Sequence, residues 1–364
     1  MSDPVKHVPG VRTDVLRTAR LRTQVVIRGD PAGEPVLFLH GNFSAATIWE
    51  ELLAELPPEY LAVAPDQRGY GCSDTAALID STRGVADWAD DALALADHYQ
   101  WDAFHLVAHS LGGCVAWDVL GRAPRRLLSA TLFAPGPPCG FGGARGRQGD
   151  LIQPDGAGSG AGLVHPEVVR RIAAEEREIV DERASPRALM RRLFFKPPFV
   201  PDREEDLLTA MLQIHPGHRQ FPGDFSTSPH WPGFVPGCYG PINALAPLYN
   251  QGVLRRMLAA DEKPPLLWIY GEDDLIVADE SPSDPGCQGR LGLRPGWPGE
   301  QQFPPQPLLT QVEHAVDEYD SGGGAVRRLT LSGVGHTPFL ERPNEVLAAL
   351  VDHLGRNGLS QQKK

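Results

Sequence analysis

Apolar runs of two kinds organise the first third of the chain. Segments 11–17 and 21–28 are short and β-rich, while Val36-Leu37-Phe38-Leu39 is apolar on both faces, as a strand buried inside a sheet must be. A helical stretch over 48–56 stops at Pro57-Pro58, and Leu61-Ala62-Val63-Ala64 is the next buried run. The series continues with a helix over 85–99, a strand over 104–108, a helix over 111–120 and a strand over 127–133. Strands alternating with helices predict an α/β fold, a mostly parallel central sheet flanked by helices.

After Ala134 the alternation stops. Segment 135–162 is dense in Gly and Pro, which predicts loop or mobile structure. Segment 166–193 is charged and helical, with Val168, Val169, Ile172, Ile179 and Val180 forming one apolar stripe. Segment 221–249 is again irregular and carries Phe225, Trp231, Phe234 and Tyr239; strand patterning resumes only at 266–270. Residues 136–258 are therefore expected to form a cap or lid inserted between two strands of a core made of 1–135 and 259–364. A second, irregular insertion covers 281–307. It is followed by a helix over 308–319, a strand over 326–331 and a helix over 343–354, with 355–364 expected as a flexible tail.

Composition narrows the function. With 41% hydrophobic residues in 364, the chain can bury a large core without staples. A formal charge of -12 disfavours nucleic acid and anionic membranes as partners and favours a small-molecule substrate. Five widely spaced cysteines without a CxxC pair read as reduced thiols. No apolar leader region and no run of membrane-spanning length occur, so the expected location is cytoplasmic. Oligomeric state is left open.

The chemical signal is Val107-Ala108-His109-Ser110-Leu111-Gly112-Gly113, a strand meeting a helix through a small-x-Ser-x-Gly turn. Such a turn exposes the serine Oγ and sets the Leu111 N–H, at a helix N-terminus, where an oxyanion could accept a hydrogen bond. A serine hydroxyl needs a base, and the base needs an orienting group. His336, glycine-flanked in Ser332-Gly333-Val334-Gly335-His336 beyond the last strand, is the candidate base. Asp274, after the 266–270 strand, is the candidate acid, with Asp273 the main competitor and Glu272 adjacent. The Asn42 N–H, after His40-Gly41, is the second oxyanion donor, and His40 is expected to brace that loop. His105 and His109 flank the elbow as packed side chains. Phe43, His109, Trp231 and Phe234 are the candidates for substrate contact. His215-x-x-His218 with distant Cys238 has irregular spacing and no convergent carboxylate, so no metal site is expected.

In this order, His40-Gly41, the Asp66 to Asp74 segment, the Ser110 elbow, the Asp274 loop and Gly335-His336 with Glu341-Arg342-Pro343 resemble the α/β-hydrolase superfamily. The Asp66 to Asp74 segment looks like the epoxide-hydrolase and haloalkane-dehalogenase branch, whose members attack with an aspartate where this chain has Ser110. A serine there is similar to esterases, lactonases, perhydrolases, carbon-carbon bond hydrolases and proline iminopeptidases. Ala108 departs from the usual glycine. The resemblance implies a Ser110-His336-Asp274 triad, an acyl-enzyme and no cofactor. It also implies a structural role for Arg68 and Asp74, through a buried ion pair and turn hydrogen bonds. The expected substrate is a small carboxylic ester, lactone or thioester. Other readings are a carbon-carbon bond hydrolase, a perhydrolase, a peptidase using Glu204, Glu205 and Asp206, or a ligand receptor that retains the triad.

Overall fold

The computed structural model describes residues 5–359. Its centre is an eight-stranded sheet. The strands are β1 (Arg12–Arg17), β2 (Arg22–Arg28), β3 (Glu34–Leu39), β4 (Tyr60–Pro65), β5 (Phe104–His109), β6 (Leu127–Phe133), β7 (Leu266–Gly271) and β8 (Val326–Leu331). They lie in the order β1-β2-β4-β3-β5-β6-β7-β8. Only β1 and β2 run antiparallel to their neighbours. β4, β5 and β6 are buried along their whole length, whereas β1, an edge strand with Arg at both ends, is largely exposed, which discourages edge-to-edge pairing.

Register sets up the site. Leu39 pairs with Ala108, His109 with Phe133, Phe133 with Ile269 and Gly271 with Leu331, so five parallel strands end at one rim. The loops carrying Asn42, Ser110, Asp274 and His336 all leave from that C-terminal rim, where open α/β sheets collect ligands. Among the helices, α1 (Glu50–Glu55) packs on the C-terminal helix Pro343–Asn357, while α2 (Ala86–His98) packs on α3 (Leu111–Arg122).

The long segment between β6 and β7 departs from expectation in several places. Stretch 135–162 is irregular but largely buried rather than mobile. Its glycines permit close backbone approach: a Cβ on Gly140 would stand 2.0 Å from the Leu245 carbonyl oxygen. Fully buried Gln306 stitches this stretch to the 281–307 insertion by accepting from Gly142 N–H (2.6 Å) and donating to the Gly140 carbonyl (3.0 Å). The charged segment is two helices, not one: α4 (Pro166–Ala173) closes when the Arg171 and Ile172 carbonyls take the N–H groups of Glu176 and Glu175, and α5 (Pro186–Leu189) restarts at a proline. Val168 and Ile172 are buried, but Val180 falls in the break and is 64% exposed.

A helix over Glu204–Leu212, α6, was not foreseen. Helix Val253–Leu258, at the end of the expected cap range, packs on α3, and Gly121 admits the approach. The C-terminal helix runs to Asn357, and the Leu359 N–H donates to Glu34 Oε2 at 3.0 Å, so residues 355–359 are held against the core and not part of a flexible tail; residues 360–364 of that expectation lie outside those described. No described helix is long and apolar enough to cross a membrane.

Candidate active site

Ser110 stands alone between β5 and α3 with φ 55° and ψ -115°, a backbone region that costs any L-residue energy. The turn is held by the Ser110 N–H donating to the Phe133 carbonyl (3.1 Å) and by the Ser110 carbonyl accepting from Gly113 (2.9 Å) and Gly136 (3.0 Å). It also needs room. A Cβ on Gly112 would lie 2.4 Å from the Leu39 carbonyl oxygen, one on Gly113 would lie 2.4 Å from Pro135 Cβ, and one on Gly41 would lie 2.9 Å from Ser110 Cβ. The small residues around the elbow are therefore required by contact with β3 and the β6 exit, not by the turn alone.

His336 Nδ1 is 2.7 Å from Asp274 Oδ2, and both side chains are buried. The other Asp274 oxygen accepts from the N–H groups of Ile276 (2.7 Å) and Val277 (3.1 Å), so the carboxylate is fully engaged and aimed at the imidazole. Asp273, the competing acid, turns outward, with 35% of its side chain exposed, and pairs with Lys196 Nζ at 2.5 Å. Buried Glu341 accepts from the N–H groups of Gly335 (2.9 Å) and Lys196 (2.9 Å), which anchors the loop carrying His336.

On the β3 side, Asn42 Oδ1 accepts from the Tyr70 hydroxyl (2.8 Å) and from the Phe43 N–H (2.9 Å), fixing the loop. Leu111 opens α3, so its N–H has no partner within the helix. Neither the Asn42 nor the Leu111 N–H donates to a turn or loop carbonyl among the described residues. His40 braces the loop from below: Nδ1 donates to the Gly41 carbonyl (2.8 Å) and Nε2 accepts from Gln67 N–H (3.0 Å). Burial pushes its pKa down to about 4. Asp66 accepts from Ala46 and Cys72 N–H at 2.8 Å each, and burial raises it to about 6. Arg68 pairs with Asp91 of α2 (2.7 Å), while Asp74 accepts from Ala76 N–H in a turn (2.9 Å).

Ser110, His336, Asn42, Leu111 and Phe43 line one cavity of about 320 Å³. The segment between β6 and β7 supplies much of its wall, including Leu163, Val168, Leu189, Phe194, Met211 and Ile242. Sequence reasoning missed these walls. The available signal was Cys114, one helical turn after Ser110 and therefore on the same face of α3. Burial pushes the Cys114 thiol up to about 12, so it stays protonated beside the serine. All five cysteines are free.

Three candidates for substrate contact stand elsewhere. His109 lies behind Ser110, its Nε2 donating to the His336 carbonyl at 2.9 Å, and burial together with the neighbouring His336 holds its pKa well below the usual value. Trp231 donates to the Pro295 carbonyl (2.9 Å) and meets Phe303 edge-on at 4.6 Å; Phe234 is buried with Arg294 over its ring. Both aromatics fasten the 281–307 insertion to the segment between β6 and β7, a packing role that draws them away from the cavity. Glu204 is occupied by Arg187 and Arg191, Glu205 by Arg177 and Arg187, and Asp206 by Arg203; none lines the cavity. His215 Nε2 is 3.1 Å from the Gly71 carbonyl oxygen.

Comparison with known proteins agrees with this architecture. The chain is 30% identical over 119 residues to the AB hydrolase superfamily protein YfhM of Bacillus subtilis, covering 32% of this chain and 41% of that protein. It is 31% identical over 131 residues to 2-hydroxymuconate semialdehyde hydrolase of Pseudomonas sp. CF600, covering 35% and 44%. The chain thus spans less than half the length of these relatives. The structure of esterase RhEst1 from Rhodococcus sp. ECU1013 superposes with a TM-score of 0.58 at 22% identity, covering 96% of this chain and 100% of that one, a likeness of fold. The family described as alpha/beta hydrolase fold matches residues 34–286, well over half of the sequence, and the chain belongs to that family.

Proposed function

We propose that this protein is a serine hydrolase of small carboxylic esters, lactones or thioesters, acting through an acyl-enzyme. The observation that carries this reading is the shared cavity: the strained Ser110 opens into the same space as His336, whose Nδ1 is held by Asp274. With Nδ1–H donated to Asp274, the His336 Nε2 lone pair is left to accept a proton. The Ser110 hydroxyl makes no hydrogen bond to His336 among the described residues, a contact that commonly tightens only in the substrate complex.

In the proposed cycle, Ser110 Oγ attacks the ester carbonyl carbon as His336 Nε2 takes its proton. The carbonyl π pair moves to oxygen, where the Asn42 and Leu111 N–H groups receive it. Collapse expels the alkoxide, which takes the proton from His336. Water then attacks the acyl-enzyme, giving its proton to His336 and releasing the acid, while the proton returns to Ser110. The segment between β6 and β7 acts as a cap that supplies apolar walls, and the cavity volume suits a small or medium acyl group. The ion pairs that occupy Glu204, Glu205 and Asp206 weigh against the peptidase alternative.

Hydrolysis of short and medium p-nitrophenyl esters by wild type and Ser110→Ala tests the reading. Turnover in wild type that is lost in the variant supports it. Turnover that survives in Ser110→Ala, or cleavage of a vinylogous diketone with none of the esters, overturns it.

A further inference from the structure

Resting on the hydrolase reading, we propose that Arg183 and Arg192 form an anion-recognition site at the cavity mouth, so that the preferred ester carries an ionised carboxylate remote from the scissile bond. Both arginines line the same cavity as Ser110 and His336, and both are exposed at its rim. Their environment sets them apart from their neighbours. In the stretch 166–203 around them, Arg170, Arg171, Arg177, Arg187, Arg191 and Arg203 each pair with a carboxylate. Arg183 and Arg192 pair with none among the described residues; Arg192 is steadied by donating to the Glu182 carbonyl at 2.9 Å.

The pairing pattern is informative because acids outnumber bases in this protein, 46 to 34. A carboxylate partner was supplied to the arginines around them and withheld at the two that face the cavity. Among the described residues no Asp, Glu or Lys lines that cavity, so there the two guanidinium groups are its only fixed full charges apart from the titratable histidines. An apolar chamber with the reacting serine inside and two arginines at the opening matches a molecule with an ester, an apolar spacer and an anionic end. Guanidinium groups suit a carboxylate because their planar forks bind it bidentately.

The test compares p-nitrophenyl hemi-esters of medium-chain dicarboxylic acids with p-nitrophenyl esters of monocarboxylic acids of equal length. The readout is the ratio of kcat/KM for the two, which a general loss of folded enzyme would not change. Wild type should favour the hemi-ester by about tenfold at low ionic strength, less as salt is added. The ratio should collapse in Arg183→Gln/Arg192→Gln and be partly kept in Arg183→Lys/Arg192→Lys. A wild-type ratio of one or below, or a ratio unmoved in the Gln double variant, overturns this inference while leaving the esterase reading intact. Turnover of neither ester by wild type overturns both.

Discussion

His336 Nδ1 lies 2.7 Å from Asp274 Oδ2, while the adjacent Asp273 reaches outward to Lys196. Two neighbouring carboxylates in one loop thus have opposite fates. Asp274→Asn should lower kcat at least about a thousandfold, because the amide cannot hold the Nδ1–H tautomer. Asp273→Asn should change kcat by less than about threefold, since it removes only a partly exposed pair. Steady-state kinetics on one ester decides between them, and a larger loss at Asp273 would reassign the acid.

The glycines around the elbow make a second prediction. Gly41→Ala places a Cβ 2.9 Å from Ser110 Cβ and 3.0 Å from His109 Nδ1, so the strained serine must shift. A displacement of that kind should lower kcat by about tenfold or more with little loss of fold. Gly112→Ala, whose Cβ would meet the Leu39 carbonyl oxygen at 2.4 Å, presses on rigid backbone and should cost about 2 kcal/mol of stability. Kinetics and denaturant titration on the two variants separate the effects.

Buried histidines should make the protein acid-sensitive. His40 uses both ring nitrogens in a pattern that only the neutral ring satisfies, and its pKa of about 4 lies below the ordinary value near 6.5. The sign follows from linkage: a group held neutral in the fold contributes stability that is complete above about pH 6.5 and is lost as pH falls towards about 4. His353, also pushed to about 4, and His109 act in the same direction. Asp66 and Asp284 oppose them, because a carboxyl that burial raises to about 6 favours the fold once it protonates below that pH. The three histidines outweigh the two carboxyls, and stability should fall by roughly 3 kcal/mol between about pH 7 and about pH 5. Urea midpoints at the two pH values check this, and a flat or rising stability would sink it.

Trp231 provides the fourth prediction. Its indole joins Pro295 and Phe303 of the 281–307 insertion, away from the cavity. Trp231→Ala should leave KM for a short ester within about twofold while loosening the insertion, because an edge-on aromatic pair and an indole hydrogen bond are lost. Limited proteolysis should then cut within 291–299 faster than in wild type. A large rise in KM with unchanged proteolysis would restore Trp231 as a substrate contact.

The sequence by itself determined what depends on neighbours in the chain. Strands β1 to β8, the turn that strains Ser110 and the loop that presents Asn42 all follow from local apolar runs and from small residues at fixed offsets. Tertiary structure decided the rest, because those features depend on contacts between distant segments. Sheet order places β4 between β2 and β3, which no short-range signal encodes. Glycines in 135–162 read equally as freedom or as close approach, and only the backbones packed against them, Leu245 and Ala157 among others, select the second. The outward turn of Asp273, the withdrawal of Trp231 and the lack of a carboxylate partner for Arg183 and Arg192 among the described residues are settled by what each side chain meets across the fold. A side chain's partner is a property of space, and the chain specifies it only once the sheet has brought the ends of β3, β5, β7 and β8 to one rim.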